Sequence, residues 1–430
     1  MQPIIQLLPV LLLTLWLLNG CALVGPTVQT LQVLTSTQAQ GNSSTTTLTD
    51  TTHPPLDDTT VAMDSTLLHM LDYVPNEPAY REYLTFGDVT AWYSATGMTP
   101  VTSLDGWQQL EQPQRDRWAF DLSLQTLPPD ALGVRYVTVE DMREFYGFSF
   151  FDAERFLETG RPPDNFTVLK TSVEPTEIEV ALHAFGYTIS SLENGTLYSI
   201  RGDNEIYMES PTKIGQLGQL NRIALLDDTL VIGRATELVK KVARLANGAG
   251  ATLADDPMYR ALAVALATPE VIAFGELVGA ILIGQPLPTD PLVLLDQDNE
   301  AIQAQFERYA QAPLPPYLAL GFATERAGDT SYLTLAVVFP PGIDGNAAAE
   351  ILGERLVTYH SVVTGDTLAD RWTFVQAIGV ESDGLPVALV TMQSSNASAG
   401  DEAYKRPFTW SEMVFQRDLL FLLVGEPVRP

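Results

Sequence analysis

One cysteine occurs among the 430 residues, so no internal disulfide and no multi-thiolate metal site can form. Bases are scarce as well: 24 Lys and Arg stand against 53 Asp and Glu, leaving a formal net charge of −29. Charged residues make up only 18% of the chain, below the roughly 25% usual in soluble domains, so the acidity comes from missing bases rather than a dense carboxylate coat. A salt-adapted surface is excluded on that ground. With a pI near 4.3 and no basic patch, the chain repels phosphate backbones, which excludes nucleic acid as a partner. The length exceeds what one core usually holds and implies two to three folding units plus tails.

The apolar run from Ile4 to Leu18 contains Pro9 and is shorter than the roughly 20 residues a membrane-crossing helix needs. It has the length of a secretory apolar region, although no Lys or Arg precedes it and the first charged residue is Asp50. The run ends in Leu18-Asn19-Gly20-Cys21, where the sole cysteine follows a small residue. This stretch resembles the lipobox of bacterial lipoproteins. The resemblance covers about the first 25 residues and implies removal of residues 1–20, a diacylglyceryl group on Cys21 and a further acyl chain on the new amino terminus. Chains of that size hold a protein on a membrane, each buried CH₂ contributing about 0.8 kcal/mol. The implied location is the outer side of a cell membrane or an outer membrane, with the membrane as partner through acylated Cys21.

Residues 21–62 read as a tether, rich in Ser and Thr with few large apolar residues after Leu34. Such composition cannot bury enough surface to offset ordering entropy, and a flexible chain of this length spans roughly 30 Å. His53 falls within it.

The folded region begins near Met63. Leu67–Leu71 reads as a helix, Leu84–Ser94 as a strand, and Val139–Phe145 and Asp152–Thr159 as short helices. Phe166–Thr171 is strand-like, and Pro175–Phe185 places Ile178, Ala181, Leu182 and Phe185 on one helical face. Two hairpins follow, one turning at Glu193-Asn194-Gly195 with positive φ supplied by Asn-Gly, the other at Asp227-Asp228. The same order returns downstream: a strand at 332–339, a helix at 346–362, a hairpin around Ser382-Asp383-Gly384, and a closing hairpin over 412–425. These elements predict an α+β fold, an internally duplicated β-α-β-β…β-β unit with mostly antiparallel sheets. Helices cover one face, and two similar sheets pack as pseudo-symmetric halves. The halves are read as 63–311, with a helical insert (235–246, 257–267, 297–310), and 312–430. The phrases ENGTLYSIRG, DDTLVIGRATELV and LADDPMYRALAVAL resemble uncharacterised secreted or lipid-anchored bacterial families, which attaches no activity.

Chemical motifs are few. Ser210-Pro211-Thr212-Lys213 matches Ser-x-x-Lys, but Gly215 and Gly218 follow at once, neither Ser-Asp-Asn nor Lys-Thr-Gly appears later, and the segment reads as a loop. Asp296, Asp298, Glu300 and Glu307 match calcium-loop positions 1, 3, 5 and 12, yet Ala301 replaces the required glycine, which favours Asp298 as a helix cap. Gly248-Ala249-Gly250 reads as a helix terminator, and His69, His183 and His360 belong to no ligand pattern. Trp92, Tyr93, Trp107, Trp118, Tyr136, Phe145, Tyr146, Phe148, Phe150 and Phe151 gather in the first hundred folded residues, as core or as the wall of a ligand cleft. No cofactor and no catalytic residue is implied. The function expected is a non-catalytic, lipid-anchored extracytoplasmic protein offering a binding or assembly surface. A tethered solute-binding protein of a transporter and a secreted hydrolase remain as alternatives.

Overall fold

Strands such as Ala319–Ala327 and Thr330–Val338 are buried at nearly every position, polar residues included, the pattern of a sheet covered on both faces. The computed structural model describes residues 65–132, 134–135, 138–139, 142–267, 274–284, 300–361, 367–395 and 410–424. In chain order these form α1 (Thr66–Leu71), β1 (Leu84–Asp88), α2 (Val89–Thr96), β2 (Val134–Arg135), β3 (Thr138–Val139), β4 (Ala153–Thr159) and β5 (Phe166–Thr171). Next come α3 (Pro175–Phe185), β6 (Thr188–Leu192), β7 (Gly195–Ser199), β8 (Arg222–Leu226), β9 (Thr229–Gly233), α4 (Thr236–Ala246), α5 (Pro257–Ala267) and β10 (Glu276–Ile283). The rest are α6 (Glu300–Gln311), β11 (Ala319–Ala327), β12 (Thr330–Val338), α7 (Gly345–Val357), β13 (Thr373–Ser382), β14 (Leu385–Ser395) and α8 (Trp410–Gln416). The fold is α+β.

Twelve strands make one sheet in the order β13-β14-β12-β11-β10-β1-β4-β5-β9-β8-β7-β6, every neighbouring pair antiparallel. The connectivity repeats about its centre. On one side β1, the hairpin β4–β5, α3 and the hairpin β8–β9 follow one another, with β9 returning beside β5. On the other, β10, β11–β12, α7 and β13–β14 do the same, with β14 returning beside β12. The seam is β1 against β10, in register from Leu84↔Leu282 to Gly87↔Gly279.

Three apolar layers hold this arrangement. On one face Leu84, Leu157, Val168, Val231, Leu282 and Val338 pack with α1, α4 and α5. The small residues Ala319, Ala323 and Ala336 let α5 lie close across β10–β14, where its Leu262 and Leu266 are fully buried, each contributing about 2 kcal/mol. On the opposite face α2, α3 and the aromatics Trp118, Phe148 and Phe150 cover the first half. There α6, α7, α8 and Leu420–Leu422 cover the second.

The structure corrects several expectations. The two halves share one continuous twelve-stranded sheet rather than packing two sheets together, β2–β3 forming a separate two-stranded sheet, and helices cover both faces of the large sheet rather than one. Asp152–Thr159 was expected to be helical; its Ala153–Thr159 forms β4, because Phe156 and Leu157 face opposite cores while Arg155 pairs with Asp88 at 2.8 Å. The strand expected over 84–94 ends at Asp88, whose side chain caps α2 by accepting from the Ala91 amide at 2.8 Å. The segment 412–425 is no hairpin: α8 and a 3₁₀ turn at Leu420–Leu422 bury its apolar run. The counterpart of β13–β14 is therefore β8–β9, and β6–β7 has none. The β6–β7 hairpin forms where expected, but neither Asn194 nor Gly195 takes a positive φ. Of the short helix expected over 139–145, residues Arg143–Tyr146 are helical.

Candidate functional site

Between α3 and β8 the first half carries residues 186–221, whereas 358–372 suffice between α7 and β13. The surplus builds the hairpin β6–β7, which is the outer edge of the sheet, and the loop that follows it. Loops held on a rigid scaffold are where binding residues concentrate. This loop is firmly held. Asp203 Oδ1 accepts from the Thr236 amide at 3.0 Å and the Thr236 hydroxyl at 2.7 Å, and pairs with Arg222 at 2.6 Å. Although burial works the other way, the bonds from Thr236 and Arg222 hold the Asp203 carboxyl below its usual range. Asn221 Nδ2 donates to the carbonyls of Gly202 and Glu205 at 3.2 and 2.8 Å.

Beneath the loop lies a cavity of about 240 Å³. Its wall is aromatic: Tyr146 stands edge-on to Phe185 with centroids 5.4 Å apart and to Tyr187 at 6.4 Å. The Tyr146 hydroxyl lies 3.0 Å from Thr212 Oγ1, and the Tyr187 hydroxyl donates to the Leu220 carbonyl at 2.6 Å. Burial pushes the Tyr187 phenol well above its ordinary range, so it stays neutral and serves as an apolar surface with a satisfied tip. Arg201 and Glu209 line the same cavity. The Arg201 guanidinium carbon sits 3.7 Å from the Tyr207 ring centroid, and the Tyr207 hydroxyl donates to Glu209 Oε2 at 3.4 Å. Among the described residues Arg201 and Glu209 do not pair with each other. The arrangement can hold a ring and flank it with opposite charges.

The insertion also carries exposed apolar side chains. Seven large hydrophobic residues are exposed among the described residues; Ile189, Ile206, Met208 and Leu217 belong to the insertion, and Val180 to the helix before it. Met208 leaves 66% of its surface in solvent. Single exposed apolar residues are ordinary, but their concentration in one segment is not.

Cys21, Asp296 and Asp298 lie outside the described residues, as does Tyr136. Glu300 opens α6, in which Glu307 also lies, and no group of three or more His, Cys, Asp or Glu able to hold a metal occurs among the described residues. Ser210 is a buried loop residue; the helix after it, Lys213–Gln216, has four residues and is capped by Thr212. His69 stands 3.8 Å from Asp72, His183 is on α3, and the His360 amide donates to Gln305 Oε1 at 2.8 Å, so the three are not brought together. Gly248 and Gly250 end α4 with positive φ of 73° and 128°. They line a larger cleft of about 790 Å³, where Lys170 pairs with Asp228 at 2.7 Å and Arg155 with Asp88.

Of the aromatics singled out in the sequence, most are core, and Tyr146 alone among them lines the smaller cavity. Sequence reasoning missed Arg201, Tyr207 and Glu209. An Arg and a Tyr in a loop that also holds Ile206 and Met208 was the available signal. Glu158, raised to about 7 by burial and then by the charge of Asp130, accepts from Asn165 at 3.2 Å and lines neither cavity. No helix among the described residues is long and apolar enough to cross a membrane.

No protein-family model matches the chain, and no curated protein matches it. Solved structures similar to it include three crystal forms of a protein designated TP0453, forms I, III and IV. Each has a TM-score of 0.31 and 9–10% identity, covering 76% of this chain and 92–93% of that one. Superpositions at that score carry no argument about function.

Proposed function

We propose that this is a lipid-anchored extracytoplasmic protein, held on the membrane by acylated Cys21, whose folded body offers a non-catalytic binding or assembly surface at the insertion 186–221. One observation carries the reading: a cavity lined by Arg201 and Glu209, which do not pair with each other, and four of the seven large hydrophobics exposed among the described residues lie in or against a segment that the second half lacks. The seam favours this reading over a hinged solute-binding protein, because among the described residues β1 and β10 are directly paired and one sheet runs through both halves.

Site-specific photo-crosslinking in cells tests it. A crosslinker at Met208 is expected to give defined adducts in the membrane fraction, and one at Val357, an exposed apolar residue of the other half, to give none. Equal labelling from both positions, or none from Met208, contradicts the surface. A Cys21→Ala chain that stays in the membrane contradicts the anchor.

A further inference from the structure

We propose that the insertion pocket takes a free aromatic α-amino acid. The proposal rests on the reading of the insertion as the binding region and names what its cavity recognises. At about 240 Å³ the cavity is below the 300–1,000 Å³ of sites for drug-sized ligands, which limits the occupant to a small molecule. The half-buried Phe185 and Tyr207 rings line the cavity, with Tyr146 and Tyr187 buried behind them at interplanar angles of 67° to Phe185 and 81° between the two tyrosines, so a further ring meets aromatic surface on a fixed backing.

Charge selects within that class. The Arg201 guanidinium carbon lies 3.7 Å from the Tyr207 ring centroid, and among the described residues no carboxylate pairs with it, which leaves guanidinium N–H groups for a ligand carboxylate. Among the described residues Glu209 receives only a 3.4 Å bond from Tyr207 and retains acceptor capacity for an ammonium group. Two opposite charges lining one cavity would ordinarily pair; these are each engaged by Tyr207 instead, so a ligand bearing both charges bridges them. The net charge of −29 sharpens the choice. An anionic ligand meets a repulsive field, whereas a zwitterion carries no net charge and meets none. An aromatic amine satisfies Glu209 and leaves Arg201 without a counter-charge.

Calorimetric titration of the full chain, purified with Cys21 intact into lipid nanodiscs, tests the assignment with L-phenylalanine, 3-phenylpropionate and phenethylamine as probes. L-phenylalanine is expected to bind, and each singly charged analogue to bind at least about tenfold more weakly. Arg201→Gln is expected to weaken L-phenylalanine about tenfold while leaving phenethylamine unchanged, and Glu209→Gln to weaken L-phenylalanine while leaving 3-phenylpropionate unchanged. Both side chains are exposed, so unchanged melting temperatures separate lost recognition from lost folding. The assignment is overturned by absence of L-phenylalanine binding, by analogues that bind as tightly, or by variants that bind like the parent. If the amino acid fails while Met208 still crosslinks, the pocket assignment falls and the binding surface stands; if both fail, both fall.

Discussion

Gly87 of β1 lies directly opposite Gly279 of β10 at the seam of the sheet. A Cβ on Gly279 would fall onto the Gln125 carbonyl oxygen, and one on Gly87 onto the Thr126 carbonyl oxygen and the Phe156 ring. The pair of missing side chains is what lets the Gln125–Thr126 backbone rest on the sheet where the two halves join. Backbone cannot yield as a flexible side chain can, so Gly279→Ala is expected to destabilise the chain by about 3 kcal/mol. Urea unfolding checks it, and a variant as stable as the parent would mean the backbone there is free to move.

Arg355, on α7 and buried, donates to the carbonyls of Phe421, Leu423 and Tyr309 at 2.8, 2.9 and 3.1 Å, and to that of Ala312. It thereby fastens the chain after α8 and the end of α6 to one helix. Arg355→Met would leave several buried acceptors without a donor and is expected to cost about 4 kcal/mol. Arg355→Lys is expected to recover little, since an ammonium lacks the fork that reaches four carbonyls. Full recovery by lysine would contradict this geometry.

Glu325 on β11 is fully buried, accepts from the Thr334 hydroxyl at 2.7 Å, and is raised to about 7 by burial, the Thr334 bond acting the other way. Its folded state therefore holds a proton more tightly than the unfolded chain. The resulting stability is fully present below the ordinary carboxylate range and is lost as pH rises through about 7. Its size is on the order of 3 kcal/mol. Glu325→Gln is expected to flatten the fall in stability between roughly pH 5 and 8. Chemical denaturation across that range reads it out, and an unchanged pH profile would contradict the burial of this carboxyl.

Asp203 ties the insertion loop to the start of α4 through Thr236 and Arg222. Asp203→Ala removes a capping acceptor and is expected to lower stability by about 1 kcal/mol. Because the Asp203 carboxyl is held below its usual range, its contribution is present at neutral pH and lost as pH falls through that lowered value. The same change is expected to weaken L-phenylalanine binding by loosening Arg201. Loop exchange rates identical to the parent's would contradict the tie.

Helices with a clear apolar stripe were legible from sequence: Pro175–Phe185, 236–246 and 257–267 lie where periodicity placed them. The Asp227-Asp228 and Asp383-Gly384 hairpins were legible from their turns, and Asp227, Asp383 and Gly384 take positive φ. β10 and β11 were missed, since strands buried on both faces show no alternation. β4 was misread because Glu154, Arg155 and Glu158 break its apolar pattern, and the pairing of Arg155 with Asp88 and of Glu158 with Asn165 is a tertiary fact. The pocket was half legible: Tyr146 stood out among clustered aromatics, whereas Arg201 and Glu209 gain meaning only once Asp203 and Asn221 fold their loop over the ring wall.

Hydrogen exchange of the full chain with and without L-phenylalanine tests the place of binding most directly. Slowed exchange is predicted in the insertion loop around Arg201–Asn221 and beside Tyr146, with the seam strands β1 and β10 unchanged. Protection at the larger cleft by Tyr73 and Lys170, or no protection anywhere, would contradict the insertion as the binding region.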